Sequence, residues 1–548
     1  MAEHCFKVRR GAEIAAYVDM SQGGADMYLT QAIHRAVAVT PHKTATICGT
    51  RVRTWQEFRA RVARFAGSLR LLGVQRGDRI AILSMNSDRY FEACFAAWWA
   101  DTVIVPMNTR WSVAEHIYSI EDAGASLLLV DDVFLEAGLA VRDACPQIRH
   151  TIHMGDGKTP DGLQSYEVLI SAGEEVEDVR RGGDELAGIF YTGGTTGFPK
   201  GVMLSQQSLW TSALSIAAGT RGFHSGMRYL HAAPMFHLAD FAMSNATSIL
   251  GGTHVFMPGF EPASFLKLME EHKASFTLLV PTMIRLLLDC PSFGKHDLSA
   301  WEGMLYGASP MAEALLHEAL RKLPHVAFTQ GYGQTELAPI ATLLGPEHHV
   351  LDGPHPHRLR SAGQPGLCVE VRVLDADGQE LPRGQVGEVA VSGPNTMLGY
   401  WNKPEQTAAT LVDGWVMTGD GGYMDEDGFL YIVDRIKDMI VSGGENVFSA
   451  EVENAIMQLD GVAECAVIGV PDPKWGERVH AVVVPKAGAT LNAEGVAPHC
   501  RTLIAGYKCP RSVDIRMEPL PKSAARFSKP NCAVLTGKTR DATSARKE

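Results

Sequence analysis

The chain has 548 residues, too many for one hydrophobic core, so two or more domains are expected. A composition of 46% hydrophobic and 20% charged residues is that of an ordinary globular enzyme, and a formal net charge of −12 excludes a general nucleic-acid binder. No run of about 18 apolar residues occurs, which predicts no transmembrane segment. The opening Met1-Ala-Glu-His-Cys-Phe-Lys lacks the apolar centre of a secretory signal. The ten cysteines show no Cys-x-x-Cys pair, so reduced thiols and a cytoplasmic location are expected.

Helical periodicity over residues 55–72 and 90–100 alternates with short apolar runs at 79–83 and 103–105. Strands alternating with helices predict an α/β core with largely parallel sheets. Trp98 and Trp99 fall on the apolar face of their helix and are read as core. The apolar stretch 186–190 then runs into Tyr191-Thr-Gly-Gly-Thr-Thr-Gly-Phe-Pro-Lys-Gly-Val202. A strand followed by such a loop presents backbone N–H groups and hydroxyls to an anion. The glycines admit phosphate oxygens close to the backbone, and Lys200 adds a mobile positive charge. This is not a Walker A loop, because Phe-Pro separates Gly197 from Lys200 and no Ser or Thr follows the lysine.

Further on, Thr329-Gln-Gly-Tyr-Gly-Gln-Thr-Glu336 combines a ring that can stack on adenine, a hydroxyl for a phosphate and a carboxylate for Mg²⁺. The histidines between 347 and 357 read as a loop rather than metal ligands. From about Val369 the texture changes to short strand-like runs at 369–374 and 387–391 between closely spaced Gly/Pro turns, which predicts a β-rich subdomain. Trp415-Val-Met-Thr-Gly-Asp420 and Gly428-Phe-Leu-Tyr-Ile-Val-Asp-Arg435 follow. Asp420 can accept two ribose hydroxyls, and the Arg435 guanidinium can reach the same sugar or a phosphate. After Asp434 an α+β pattern begins, with a helix near 449–458 and strands at 464–470 and 480–484. The domain boundary is placed at 435–438: residues 1–436 form the large domain (β-rich part about 360–434) and 437–548 a small C-terminal domain with a loosely ordered tail.

These motifs, in this order, resemble the adenylate-forming superfamily, which includes acyl-CoA synthetases, luciferases and peptide-synthetase adenylation domains. The resemblance runs from about Tyr28 to about Lys522. It implies a large α/β N-terminal domain of packed mixed sheets with helices, a β-rich subdomain, and a small mobile α+β C-terminal lid. It implies an ATP-dependent reaction in two halves: a carboxylate and ATP give an acyl-adenylate and pyrophosphate, then a thiol displaces AMP. By this resemblance Thr192, Gly193, Gly194, Thr195, Thr196, Gly197 and Lys200 form the phosphate loop. Gly307, Ala308, Ser309, Gly331, Tyr332, Gly333 and Thr335 surround the nucleotide, Glu336 holds Mg²⁺, Asp420 and Arg435 hold the ribose, and Lys437 is the lid hinge.

Val441-Ser-Gly-Gly-Glu-Asn-Val447 and Trp475-Gly-Glu477 are similar to the lid loops of acyl-CoA ligases, which implies coenzyme A contacts for Ser442, Gly443, Gly444, Glu445 and Trp475. Lys508 and Arg511 are read as solvated charges, with CoA phosphates as the alternative. In Ala233-Pro-Met-Phe-His-Leu-Ala239, His237 takes the position that gates carboxylate entry. Ala308 replaces a family glycine, and Asp240 either faces away from the acyl site or meets a polar substituent there. The expected substrates are ATP, CoA and an apolar carboxylic acid, medium-to-long or bulky. A carrier-protein thiol is the alternative acceptor, and a homodimer is left open. One departure stands out. The family lid ends in Leu-Pro-Lys-Ser-Ala-x-Gly-Lys, whereas this chain reads Leu520-Pro-Lys-Ser-Ala-Ala-Arg-Phe-Ser-Lys529, with Phe527 on the lysine. Either a local shift lets Arg526 or Lys529 substitute, or adenylation is impaired.

Overall fold

The structure is a computed structural model, and it describes residues 26–192, 199–443, 445–520, 522–523 and 526–527. Helix formation follows local chemistry. Trp55–Leu71 starts at a capping box in which the Thr54 hydroxyl accepts from the Glu57 N–H and the Glu57 carboxylate accepts from the Thr54 N–H. Its buried residues Trp55, Phe58, Val62, Phe65, Ala66 and Leu69 recur every three or four positions and pack on helix Asp88–Trp99. Trp98 and Trp99 are core, as their spacing implies. Each indole N–H is satisfied, by the Ala187 carbonyl at 3.0 Å and the Val176 carbonyl at 2.8 Å.

Two large mixed sheets form the body. One has nine strands, in which Thr253–Phe256, Arg228–His231, Phe276–Leu279, Gly303–Gly307 and Ala327–Gly333 are consecutive parallel neighbours. Ile340–Leu344 and Gln364–Pro365 complete one edge antiparallel. The other has eight strands, with Val103–Pro106, Arg79–Leu83 and Leu127–Val130 parallel inside and the antiparallel series Leu186–Thr192, Lys200–Ser205, Gly399–Tyr400 at one edge. The largest buried cluster joins residues of both sheets, such as Ile104, Leu127, Phe276 and Leu305, to the helices Asp88–Trp99, Gln206–Gly219 and Leu238–Leu250.

The short runs after residue 369 form an antiparallel sheet of Glu370–Leu374, Gly387–Ser392, Trp415–Met424 and Leu411–Val412, with Leu430–Arg435 paired on Trp415–Met424. A further sheet contains Ile440–Ser442, Glu445–Val447, Val462–Asp472, Gly476–Pro485 and Ser512–Ile515, and its core includes Val452, Ile456, Val467, Val479 and Val496. Its two long strands exceed the sequence expectation. They continue through Pro471 and the polar Gly476-Glu-Arg478, which an apolar pattern does not mark. Among the described residues, no helix is long and apolar enough to cross a membrane.

Candidate active site

Leu186–Thr192 pairs antiparallel with Lys200–Ser205, with Thr192 opposite Lys200. Thr192 and Lys200 therefore stand at the two feet of the loop. Gly193, Gly194, Thr195, Thr196 and Gly197 lie outside the described residues. The Lys200 ammonium sits 4.7 Å from the ring centre of Tyr400. Tyr400 in turn donates its hydroxyl to Glu336 Oε1 at 2.7 Å. Burial and then the Glu336 charge push the Tyr400 phenol well above its ordinary range, so it stays a donor.

Two parallel strand ends stand side by side. Gly307 is opposite Gly331, and a Cβ on Gly307 would collide with the Gly331 carbonyl oxygen, so this close approach requires glycine. Ala308 leaves the strand at φ +62°, a left-handed conformation that glycine adopts at no steric cost, and Ser309 follows it half-buried. Gly331-Tyr-Gly333 ends the neighbouring strand, and a Cβ on Gly333 would overlap the Pro339 carbonyl oxygen. Thr335 and Glu336 then form a short 3₁₀ turn, half-buried at the site.

Asp420 is 4% exposed and sits opposite Arg435 in the pairing of Trp415–Met424 with Leu430–Arg435. Its Oδ2 accepts the Tyr332 hydroxyl at 2.8 Å, and its Oδ1 lies 3.0 Å from Arg435 Nε. A carboxylate has about four lone-pair sites, so both oxygens keep capacity for sugar hydroxyls. The structure thus brings together Lys200 with Glu336, and Tyr332 with Asp420 and Arg435. Among the described residues, no group of three or more His, Cys, Asp or Glu side chains could hold a metal. One half-buried carboxylate, Glu336, suits Mg²⁺ that arrives with nucleotide phosphates rather than a protein cage.

His237 stands at the N-cap position of helix Leu238–Leu250, without a side-chain cap bond, and is half-buried. Burial, and secondarily the Arg110 charge, hold its pKa down to about 4, so the imidazole is neutral near pH 7. Asp240 resolves in favour of facing away. Fully buried, it accepts the Tyr229 hydroxyl at 2.7 Å and lies 2.8 Å from His231 Nδ1. His231 Nε2 continues to His254 Nδ1 at 3.0 Å, and His254 Nε2 to Ser248 Oγ at 3.2 Å. This satisfied core network leaves Asp240 to internal partners.

The lid-loop residues gather separately. Ile440–Ser442 and Glu445–Val447 form a hairpin, with Gly443 at φ +66° and its N–H on the Trp475 carbonyl at 2.8 Å. Ser442 is buried opposite Gly476, Glu445 is exposed, and a Cβ on Gly443 would come within 2.8 Å of the Trp475 ring. Arg511 lies 4.1 Å and Lys474 4.8 Å from the Trp475 ring centre, and Arg511 is exposed, so it is a solvated charge that also covers an aromatic ring. Lys508 is not simply solvated: it pairs with Glu451 at 2.7 Å. Gly444 and Lys529 lie outside the described residues; Lys437 falls in the 3₁₀ turn Ile436–Asp438. At the lid end, Lys522–Ser523 pairs with Arg526–Phe527, Lys522 opposite Phe527 and Ser523 opposite Arg526.

Sequence reasoning missed Tyr400. Its only signal was an aromatic pair, Tyr400-Trp401, after a glycine, which says nothing of Glu336. It also missed Asn395, whose buried amide donates to the Leu337 and Ile340 carbonyls at 2.8 Å each and so braces the turn that carries Glu336.

Comparison with known proteins shows the family. Residues 33–401 match the family model described as AMP-binding enzyme, and 451–526 match the AMP-binding enzyme C-terminal domain. A feruloyl-CoA synthase of an Amycolatopsis species is 38% identical over 481 residues, covering 88% of this chain and 93% of that protein. The fatty acid–[acyl-carrier-protein] ligase ScoC of Streptomyces coeruleorubidus is 35% identical, covering 86% and 89%. The crystal structure of ATP-bound MatB from Rhodopseudomonas palustris superposes with a TM-score of 0.83 at 32% identity, covering 93% of this chain and 99% of that one. With both parts of the family matched in order on an α/β body and a small C-terminal sheet, the chain belongs to the AMP-binding enzymes of the adenylate-forming superfamily, as an AMP-forming acid–thiol ligase.

Proposed function

We propose that the protein is an ATP-dependent acyl-CoA ligase that activates a bulky or medium-to-long apolar carboxylic acid. The carrying observation is the pair of clusters at the strand ends: Lys200–Tyr400–Glu336 for phosphate and metal, Tyr332–Asp420–Arg435 for the nucleoside. Asp420 accepts the ribose hydroxyls, Tyr332 offers its ring to adenine, and Thr335 with Lys200 takes the phosphates. Glu336 holds Mg²⁺, which when bound neutralises phosphate charge. A carboxylate oxygen of the acid bonds to the α-phosphorus as the bond to pyrophosphate breaks. His237, neutral at the gate, lets the anionic acid pass without forming a buried ion pair. The CoA sulfur then bonds to the acyl carbon, AMP departs, and the thiol proton goes to solvent.

In this reading residues 1–436 are the adenylating body and 437–548 the lid, which turns about Lys437 to present Gly443, Gly444 and Trp475 to the pantetheine arm. The feruloyl-CoA synthase relative supports an aromatic acid, and ScoC supports a carrier-protein thiol as the competing acceptor. Arg526 or Lys529 supplies the lid cation that Phe527 lacks. A panel of carboxylic acids assayed for ATP-dependent AMP release, with CoA, with a pantetheinylated carrier protein and with neither, tests the proposal. Release stimulated by CoA supports it, and stimulation by carrier protein alone overturns the acceptor. AMP release restored only by Phe527→Lys would make the native chain an impaired adenylating homologue.

A further inference from the structure

We propose that Tyr400 is a positioning residue for the first half-reaction: its hydroxyl sets the Glu336 carboxylate for Mg²⁺·ATP, and its ring seats the Lys200 ammonium beside it. This rests on the ligase reading above and adds to it a residue that the motif pattern does not mark.

The backbone around Tyr400 is fixed from several directions. Gly399–Tyr400 pairs with Lys200–Ser205, with Tyr400 opposite Val202, so the strand that begins at Lys200 also holds the tyrosine's strand. The Trp401 N–H donates to the Gly201 carbonyl at 2.8 Å, and the Trp401 indole to the Asp122 carbonyl at 2.8 Å. The Tyr400 N–H donates to Thr407 Oγ1 at 2.9 Å, and Gly399, at φ +136°, has Thr407 where a Cβ would stand. Glu336 is held by the same segment at two points. Its carbonyl accepts the Met397 N–H at 2.9 Å, and its carboxylate accepts the Tyr400 hydroxyl at 2.7 Å.

The chemistry fits a carboxylate that must accept a metal. A neutral donor on Oε1 orients the group without neutralising it and leaves Oε2 to coordinate. The Tyr400 side chain is buried, with its hydroxyl 2.7 Å from Glu336 Oε1. Lys200, 4.7 Å from the ring centre, rests on the electron-rich face, so one tyrosine meets both the lysine and the Glu336 carboxylate.

The test uses the full chain and α,β-methylene-ATP, which cannot be cleaved at the reacting bond. Binding is followed by calorimetry across Mg²⁺ concentrations and in EDTA. Tyr400→Phe should raise the Mg²⁺ needed for half-saturation about tenfold. Its affinity for the nucleotide in EDTA should stay within about twofold of wild type, because Lys200 keeps its ring. Tyr400→Leu, which removes the ring as well, should also weaken binding in EDTA several-fold. In a Glu336→Gln background, Tyr400→Phe should add nothing to the Mg²⁺ requirement. An unchanged Mg²⁺ requirement in Tyr400→Phe, an equal loss with and without Mg²⁺, additive effects in the Gln background, or a large fall in its melting temperature would each overturn the positioning role. Wild-type protein that binds no nucleotide under any condition would instead remove the ligase reading, and this inference with it.

Discussion

Asp420→Asn changes one atom type at the centre of the proposed nucleoside cluster. The carboxylate is 4% exposed, with the Tyr332 hydroxyl at 2.8 Å on one oxygen and Arg435 Nε at 3.0 Å from the other. Asparagine keeps one acceptor for Tyr332 and turns an N–H₂ group toward Arg435 and the sugar. Hydrogen bonds to an ion contribute about 1.5–3 kcal/mol, against about 0.5–1.5 kcal/mol between neutral groups. Losing the charge under two ribose hydroxyls should therefore weaken ATP binding by about 3 kcal/mol, or roughly 100-fold. Calorimetry with ATP and with its 2′-deoxy and 3′-deoxy analogues separates this from general damage. Wild type should discriminate against each analogue by about tenfold, and Asp420→Asn should lose most of that discrimination. A variant that binds ATP within about twofold of wild type, or that rejects the deoxy analogues as strongly, refutes the ribose assignment.

The remaining predictions concern single positions. Ala308→Gly relieves a left-handed alanine, φ +62°, and should stabilise the chain by about 1 kcal/mol, read as a rise in urea midpoint at unchanged slope; no rise would mean that the turn is not strained. Gly443→Ala places a methyl against a Trp475 ring already covered by Arg511, so it should slow thioester formation while pyrophosphate release continues; equal loss of both half-reactions would point to misfolding of the small sheet. For His237, a folded-state pKa of about 4 lies below the unfolded value of about 6.5, so the unfolded chain binds the proton first. Its contribution to stability is complete above about pH 6.5 and is lost as pH falls toward 4; His237→Gln should flatten the fall of urea midpoint over that window, and an unchanged fall would refute it. The buried His116, His254 and His349, whose pKa values are also lowered, supply the slope that remains.

What the sequence made legible is what local pattern encodes. Alternating strands and helices announced the α/β body, and the close backbone approach of Gly307 to Gly331 falls in segments that the family resemblance singled out. The residues it hid depend on pairing between distant segments. Tyr400 reaches Glu336 only because Gly399–Tyr400 docks on the strand of Lys200. Asp240 looked like a candidate for the acyl site because it follows His237 by three residues. On a helix whose start is fixed, that spacing instead delivers it to Tyr229 and His231 on a core strand. Lys508 looked solvated because its partner, Glu451, belongs to another element of the small domain. The departure from the family's lid ending was visible in the sequence, where Phe527 falls on the lysine in the gap-free register, and Lys522–Ser523 pairs with Arg526–Phe527.

The central claim is that a carboxylate attacks the α-phosphorus of ATP in the site between Lys200, Glu336 and Asp420. Isotope transfer tests it most directly. An aromatic or aliphatic acid labelled with ¹⁸O in its carboxyl group is turned over with ATP and CoA, and the products are weighed by mass spectrometry. The account predicts one ¹⁸O in AMP, none in pyrophosphate, and the other in the thioester. Label appearing in inorganic phosphate beside ADP, or AMP released without label, would contradict it.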